Sequence, residues 1–512
     1  MIPDHDSFTQ HKKDMAAVAK EAEDAAKRRL AEAEARRALE QHEVQEAPAA
    51  HGEAAPAGGH GEAEGGEHHH SHTLPLDILL FLFICCFLGQ LMKQFSAWSG
   101  APYTSLITIL GVVFGILTEK YGMGRIGAAI IEYSAISAHL LLFLFLPALI
   151  FESAFNSDWH IFKIELGQIL IMAGPMLLGS TVLSALMMTY VFGYTGEFTW
   201  TASLMYGSII SATDPVAVVA LLKELGASKR LSTMIEGESL MNDGTAMVVF
   251  LIIVDFVEGG NPSVSDMFFK FVRLSGGGPC LGFLGGFIMT NLLKRIHNNF
   301  VLEVNTTIFV SYFVFFTAES TGIGASGILA VVVLGLYMSN TGKTTISAES
   351  EHAVHHVWGY VGFVAETVIF IISGIIMGQR SMQDDNLIHY MDYIKLLGIY
   401  VGLHFIRFFM ILVCWPVLRV IGYGMTFEQV VLGAYAGLRG AVGLSLALMV
   451  ASSEKIPRYV QDVVLLHVAG VALLTLLINA TTTAPLVQAL GLSPYSDLKK
   501  NILYSLTVNL DN

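Results

Sequence analysis

From Leu74 onward, apolar runs recur with short polar connections, near 74–92, 102–118, 138–155, 164–192, 200–222, 228–257 and 266–295. Six more follow near 301–319, 325–339, 352–378, 390–420, 427–452 and 460–490. A helix needs about twenty mainly apolar residues to cross a bilayer, so the pattern predicts an all-α multi-pass membrane protein with about thirteen transmembrane helices. The first 73 residues follow a different pattern. Met15 to Gln45 is rich in Ala, Glu, Lys and Arg, which predicts a solvated helix. Ala47 to His72 is Gly, Ala, Glu and His and is expected to be disordered. His68, His69, His70 and His72 are metal-ligand residue types, but an unstructured cluster of this kind is expected to bind none specifically. No cleavable signal pattern precedes the first apolar run. The expected division is a charged tail over 1–73, a transmembrane domain over 74–490 with core helices near 164–257 and 390–490, and a short segment over 491–512.

One stretch breaks the apolar pattern. Ile210 to Phe250 carries Asp214, Glu238 and Asp243 inside its apolar runs. A carboxylate at membrane depth costs about 2.5–3.5 kcal/mol on insertion scales and is a functional candidate by default. Pro215 lacks a backbone donor and clashes with the carbonyl of Ser211. The residue before a proline is pushed out of α geometry, so the helix is expected to break at Thr213–Asp214. Such a break exposes carbonyls that replace water around a cation. One helix later, Ser239 and Asp243 share a face, and Glu238 and Asn242 share the next.

A second interruption is expected at Ala436-Gly437-Leu438-Arg439-Gly440-Ala441, where two glycines flank an arginine. Alone, this stretch reads equally as close packing through small residues. The two interrupted segments, however, are the fifth and twelfth runs, and setting the seventh aside as a linker leaves two six-helix halves. Paired interruptions at matching positions point to an inverted-repeat transporter with a midplane ion site.

Composition agrees with a membrane protein: 53% hydrophobic, 14% charged and mean hydropathy +0.58, against roughly 25% charged in soluble domains. The formal charge of −14 owes much to the tail and says little about partners, among which no nucleic acid is expected. Cys85, Cys86, Cys280 and Cys414 all lie in apolar runs, which predicts buried small side chains rather than a disulfide framework. Lys223, Lys229, Arg230, Lys294, Arg295, Arg419, Lys499 and Lys500 fall on the C-terminal side of the expected topology. The positive-inside rule places that side, with the C-terminus, in the cytosol and the tail outside. No Walker-type Gly-Lys-Ser/Thr sequence is present, which argues against a primary pump.

The segments Phe145-Leu146-Pro147-Ala148-Leu149-Ile150-Phe151-Glu152, Ser211-Ala212-Thr213-Asp214-Pro215, Glu236-Gly237-Glu238-Ser239-Leu240-Met241-Asn242-Asp243 and Gly437-Leu438-Arg439-Gly440 resemble the electroneutral Na+/H+ exchangers. The run from Ser211 to Asp243 resembles in particular the plant salt-tolerance type of plasma-membrane antiporter and its protist and animal relatives. The resemblance covers about Leu74 to Leu490 and leaves the tail unmatched. It implies a homodimer of thirteen-helix protomers in the plasma membrane rather than an endomembrane, with a core domain sliding against a dimerisation domain among membrane lipids. The family members that the run resembles carry a long cytosolic regulatory region, whereas this chain ends soon after its last apolar run. By position, the resemblance assigns ion binding to Asp243, Asp214, Ser239, Asn242 and the Thr213 carbonyl, with Glu152 as a water-mediated contributor. Asn242 fills an asparagine–aspartate pair where electrogenic relatives have two aspartates. Glu238 and Arg407 match a structural ion pair, and a buried strut is the favoured reading of Glu238. Arg439 and Asp214 are expected to compensate the half-helix ends, so Asp214 has both a ligand and a dipole role open to it. Glu366 is a further membrane carboxylate, with a structural and a cavity-wall role equally open.

The expected activity is secondary antiport, with no enzymatic reaction and no cofactor beyond the transported ions, Na+ (or K+ or Li+) and H+. Burial opposes the charged form of Asp243, while polar neighbours and a bound cation favour it. When the two balance near neutral pH, Na+ and H+ compete for one carboxylate. The empty charged site crosses poorly, which couples the two flows one to one. A K+/H+ exchanger would use nearly the same residues. A cation channel fits paired breaks and a single carboxylate less well, and a transport-dead sensor is disfavoured by the intact ligand set.

Overall fold

The structure is a computed structural model that describes residues 67–134, 138–196, 198–260, 263–296, 298–320, 322–382 and 388–492. Every regular element among them is helical. The first half of the chain forms α1 (Glu67–Ser99), α2 (Tyr103–Tyr121), α3 (Gly124–Ser134), α4 (Ala138–Asn156) and α5 (Trp159–Val191), the last with two π-helical turns. It continues through α6 (Trp200–Ser211), α7 (Val216–Glu224) and α8 (Lys229–Val257). α9 (Val264–Leu293) leads into α10 (Phe300–Ser320), α11 (Gly327–Gly342), α12 (Ala348–Met382) and α13 (Tyr390–Leu418). α14 (Phe427–Tyr435), α15 (Ala441–Ala451) and α16 (Arg458–Ala489) complete the described chain.

Eleven runs are long and apolar enough to cross a membrane, with α6 and α7 counted as one. The shorter α11 and the interrupted pair α14–α15 bring the crossings to the expected thirteen among the described residues, with breaks in the fifth and twelfth. Helix starts follow local chemistry. Ser228 caps α8 by accepting from Leu231 N, and Asp158 caps α5 by accepting from His160 N and Ile161 N. Such side chains satisfy the backbone donors that a helix leaves free at its first turn.

Two features depart from the hydropathy pattern. α3 is too short to cross and was not expected; it buries Ala129, Ile130 and Tyr133, and the Tyr133 ring meets Phe81 of α1 edge-on at 5.2 Å. α1 starts at Glu67, inside the stretch assigned to the tail. Hydropathy marks where a helix meets apolar surroundings, not where its hydrogen bonds begin. The rest of the tail, the side chains of its histidines and residues 493–512 lie outside the described residues. The cysteine reading also needs correction. Cys85 is buried, but Cys86 and Cys414 are partly exposed and Cys280 is exposed. An apolar membrane helix buries only its inward face, so an apolar run does not by itself bury each of its positions.

α2 and α12 cross with their backbones in close contact. A Cβ on Gly115 would lie 2.2 Å from the Ile375 carbonyl oxygen, and one on Gly378 would lie 2.4 Å from that of Val112. Small residues spaced four apart on both helices make this contact, since membrane helices associate through packing rather than water exclusion. The crossing fixes α12, which carries Glu366, against the site. Successive crossings alternate in direction and gather the connections on two faces. Asp158, Ala227 and Lys343 line one cavity on the first face, while Glu258 meets Ser453 and Lys455 on the second.

Candidate ion site at the crossed helix breaks

The fifth crossing stops being helical at Ser211 and resumes at Val216, across Ala212-Thr213-Asp214-Pro215. The twelfth does the same between Tyr435 and Ala441. The breaks meet: Asp214 N donates to the Leu438 carbonyl at 2.9 Å. The charges sit where the broken ends need them. Asp214 Oδ1 accepts from Val216 N at 3.0 Å, and its carboxylate also accepts from the Ala441 backbone, so it serves the first turns of both α7 and α15. Arg439 Nη1 donates to the Ala212 carbonyl at 3.0 Å, just past the end of α6. Negative charge at helix N-termini and positive charge at C-termini oppose the helix dipole favourably. Only glycine fits beside Asp214, because a Cβ on Gly440 would fall 2.0 Å from Asp214 Oδ2.

α16 closes the crossing from behind. Its π-helical turn at Thr475–Asn479 turns two polar side chains to the second break. Arg439 N donates to Thr475 Oγ1 at 3.2 Å, and Asn479 Nδ2 donates to the Tyr435 carbonyl at 2.9 Å. These bonds satisfy backbone groups that an interrupted helix would otherwise leave unpaired in hydrocarbon.

α8 supplies the remaining residues. Ser239 Oγ donates to the Thr213 carbonyl at 2.5 Å. Asn242 Nδ2 lies 3.2 Å from Thr213 Oγ1 and 3.3 Å from Glu238 Oε1, so Asn242 turns toward the buried network behind the break. Arg407 Nη2 of α13 donates to Glu238 Oε1 at 2.7 Å, and its Nε donates to the Gly433 carbonyl at 2.9 Å. Both charged side chains are buried, Glu238 at 1% and Arg407 at 8% exposure. The pair therefore braces α8 against α13 and α14.

Asp243, Asp214 and Ser239 line a cavity of ≈ 390 Å³. Its opposite wall carries Glu152 of α4, Glu366 of α12, Tyr103 at the start of α2 and Lys93 of α1. The Tyr103 hydroxyl donates to Glu366. Glu152 fits against α12 because Gly362 has no side chain; a Cβ there would lie 2.0 Å from Glu152 Oε2. At the mouth stand Asn156, Lys223 and Glu236, with Lys223 Nζ 2.7 Å from Glu236 Oε1. The structure thus brings Asp243, Asp214, Ser239 and Glu152 to one cavity. Asn242 and Thr213 do not line the cavity, whereas Glu366 does, on the wall opposite Asp243. Among the described residues no three His, Cys, Asp or Glu side chains cluster closely enough for a resident metal. What the cavity offers is carboxylates and a hydroxyl, oxygen donors of the kind that hold hard cations in place of water.

Sequence reasoning missed Tyr103, Lys93, Thr475 and Asn479. A polar run, Asn479-Ala480-Thr481-Thr482-Thr483, within the last apolar segment signalled the π-helical side of α16. Nothing local marks Tyr103 or Lys93, which reach the site through tertiary packing alone.

Residues 74–489 match the family described as sodium/hydrogen exchanger, transmembrane. The chain is 37% identical over 437 residues to Sodium/hydrogen exchanger 7 of Arabidopsis thaliana, a match covering 84% of this chain and 38% of that protein. The match to Sodium/hydrogen exchanger 8 of the same plant covers 58% of it at 36% identity, so the chain spans only part of either relative. The low-affinity Na(+)/H(+) antiporter NhaS1 of Synechocystis is 31% identical, with 81% of this chain and 74% of that protein covered. The solved structure of the sodium proton antiporter MjNhaP1 from Methanocaldococcus jannaschii superposes with a TM-score of 0.67 at 17% identity, covering 81% of this chain and 99% of that one. That superposition extends the likeness from sequence to fold. With its two crossed breaks and its match over nearly the whole described membrane region, the chain belongs to the transmembrane sodium/hydrogen exchanger family.

Proposed function

We propose that the protein exchanges Na+ for H+ across a membrane by alternating access, one for one, with both ions competing for Asp243. The observation that carries this reading is the division of labour among the carboxylates. Asp214 is occupied by backbone donors of two helix ends, and Glu238 is occupied by Arg407. Asp243 lines the cavity with no hydrogen bond or ion pair to another residue among the described ones. A cation there has Asp243, Asp214, Ser239 Oγ and the Thr213 carbonyl at hand. Glu152 stands across the cavity to hold a bridging water. Asn242 cannot titrate in the working pH range, so it adds no second proton to the cycle.

The cavity mouth shares a face with Asp158, Lys229 and Lys343. The lysine and arginine bias assigns that face to the cytosol, which makes this an inward-open state with the C-terminus inside. The resemblance supports a homodimer in the plasma membrane. The test is Na+-driven proton movement in proteoliposomes under imposed potassium–valinomycin potentials. Equal rates at potentials of either sign are expected, with a bell-shaped pH dependence. A rate that rises steeply with inside-negative potential would show a second charge moving and overturn the one-for-one cycle.

A further inference from the structure

A second cavity, of ≈ 590 Å³, adjoins the mouth of the cation cavity. Its volume falls within the about 300–1,000 Å³ usual for small-molecule sites. Lys163, Lys223, Lys229 and Lys343 line it, against only two carboxylates, Asp158 and Glu236. Lys223 pairs with Glu236 at 2.7 Å and Lys229 with Asp158 at 2.6 Å. Lys163 and Lys343 have no ion-pair partner among the described residues; the Lys343 ammonium lies 5.2 Å from the Phe155 ring centroid. Burial pushes Lys343 below the usual lysine range even against the pull of the Glu351 and Asp158 carboxylates, a penalty that a bound anion offsets. This surplus of positive charge has the same sign as the transported ions, so cation transport does not account for it.

Ser232 supplies an independent sign of a ligand. It lines the same cavity at 2% exposure, and its hydroxyl oxygen is buried with no hydrogen-bond partner. Buried hydroxyls are nearly always paired, so an unpaired one at a cavity wall is a partner in waiting. Unpaired ammonium groups beside an unpaired hydroxyl match a phosphate, which lysine binds as a point charge.

We propose that this cavity binds a phosphate-bearing organic anion, from a soluble phosphate ester or a phospholipid headgroup, and that its occupancy sets Na+ capture at the cation mouth. The link is physical: Asn156, Lys223 and Glu236 line both cavities. A phosphate that draws the Lys223 ammonium toward itself leaves Glu236 facing the cation path unneutralised. Na+ is then attracted to the mouth where it was previously balanced away.

The test uses the full-length protein in phosphatidylcholine nanodiscs. Inositol trisphosphate is titrated as the soluble probe, and discs containing phosphatidylinositol bisphosphate carry the lipid probe; the rise in thermal midpoint is the common readout. Wild-type protein is expected to bind at least one probe saturably. The Lys163→Gln/Lys343→Gln variant should bind it about tenfold more weakly, the scale of a lost charge-assisted contact, while Lys163→Arg/Lys343→Arg keeps it. Ser232→Ala should weaken it about tenfold, as expected for a hydroxyl bonded to an ionised phosphate. In wild type the bound probe should lower the KM for Na+. Response to the soluble probe identifies a phosphate ester, and response only in lipid-bearing discs identifies a headgroup. No response to either probe overturns the proposal, as does equal binding by wild type and the glutamine variant. If the glutamine variant fails to fold, unchanged binding by Ser232→Ala overturns it instead. Binding is read without transport, so its failure is separable from failure of the exchange reading.

Discussion

Removing either half of the Glu238–Arg407 pair should destabilise the protein far more than removing both. Arg407→Ala deletes the 2.7 Å bond to Glu238 and the 2.9 Å bond to the Gly433 carbonyl. It strands a carboxylate at 1% exposure, with Asn242 Nδ2 at 3.3 Å the one hydrogen-bond donor left to it among the described residues. Glu238→Ala leaves the guanidinium with a single backbone carbonyl. Breaking a buried pair from one side costs roughly 3–5 kcal/mol, because the survivor is an uncompensated buried charge. The double variant has no stranded charge; it loses packing and a few hydrogen bonds. The coupling between the two positions should therefore be of the order of 3 kcal/mol, well above the roughly 0.3–0.5 kcal/mol scatter of additive pairs. The assay is a double-mutant cycle on unfolding midpoints of the detergent-solubilised protein, with Asp243→Asn as the reference. Each single variant should fall well below that reference, and the double should recover much of the loss. Additive losses would show that Glu238 and Arg407 do not act as a strut, and the bracing of α8 against α13 would have to be abandoned.

Two further predictions follow from the crossing and its rim. Gly440→Ala places a methyl 2.0 Å from Asp214 Oδ2 and must drive that carboxylate off the start of α15; overpacking of this kind costs about 1–3 kcal/mol, and exchange in proteoliposomes should drop sharply, whereas near-normal exchange would mean that Asp214 need not sit there. Asp158 is held below the usual aspartate range chiefly by its hydrogen bond to Lys229. Its stabilising effect is thus present above the ordinary aspartate pKa of about 3.9 and is lost as pH falls through its own lower value. Lys229→Met should flatten this acid-side dependence of the unfolding midpoint by a small amount, as expected of a partly exposed pair, and an identical pH profile in the variant would contradict the assignment.

Much of this site was legible in the sequence because hydrocarbon makes polar residues conspicuous. Asp214-Pro215 fixed one break through the chemistry of proline, and Gly437 to Gly440 marked the other. Four-residue spacing on a helix put Glu238 beside Asn242, where the structure has them bonded. What stayed hidden depends on contacts between distant segments. Tyr103 and Lys93 come to the cavity only because α1 and α2 pack against α12, and nothing near them in sequence says so. The cavity fit of Glu152 depends on a missing side chain at Gly362, on another helix. α3 escaped because a short amphipathic helix carries no hydropathy signal of crossing length. Cys280 was misjudged for a related reason: apolar sequence reports the surrounding medium, and lipid is as apolar as a protein core.

The central claim is that one carboxylate, Asp243, carries either ion. Its most direct test is Na+/H+ exchange by purified Asp243→Asn protein in proteoliposomes, beside wild type and with the folded state checked by size and unfolding midpoint. The substitution keeps the side chain's size and removes its charge and its proton. The account predicts a folded protein with no exchange above that of protein-free liposomes at any pH. Robust Na+-driven proton movement by Asp243→Asn would contradict it and send the search to Glu366 and Glu152 across the cavity.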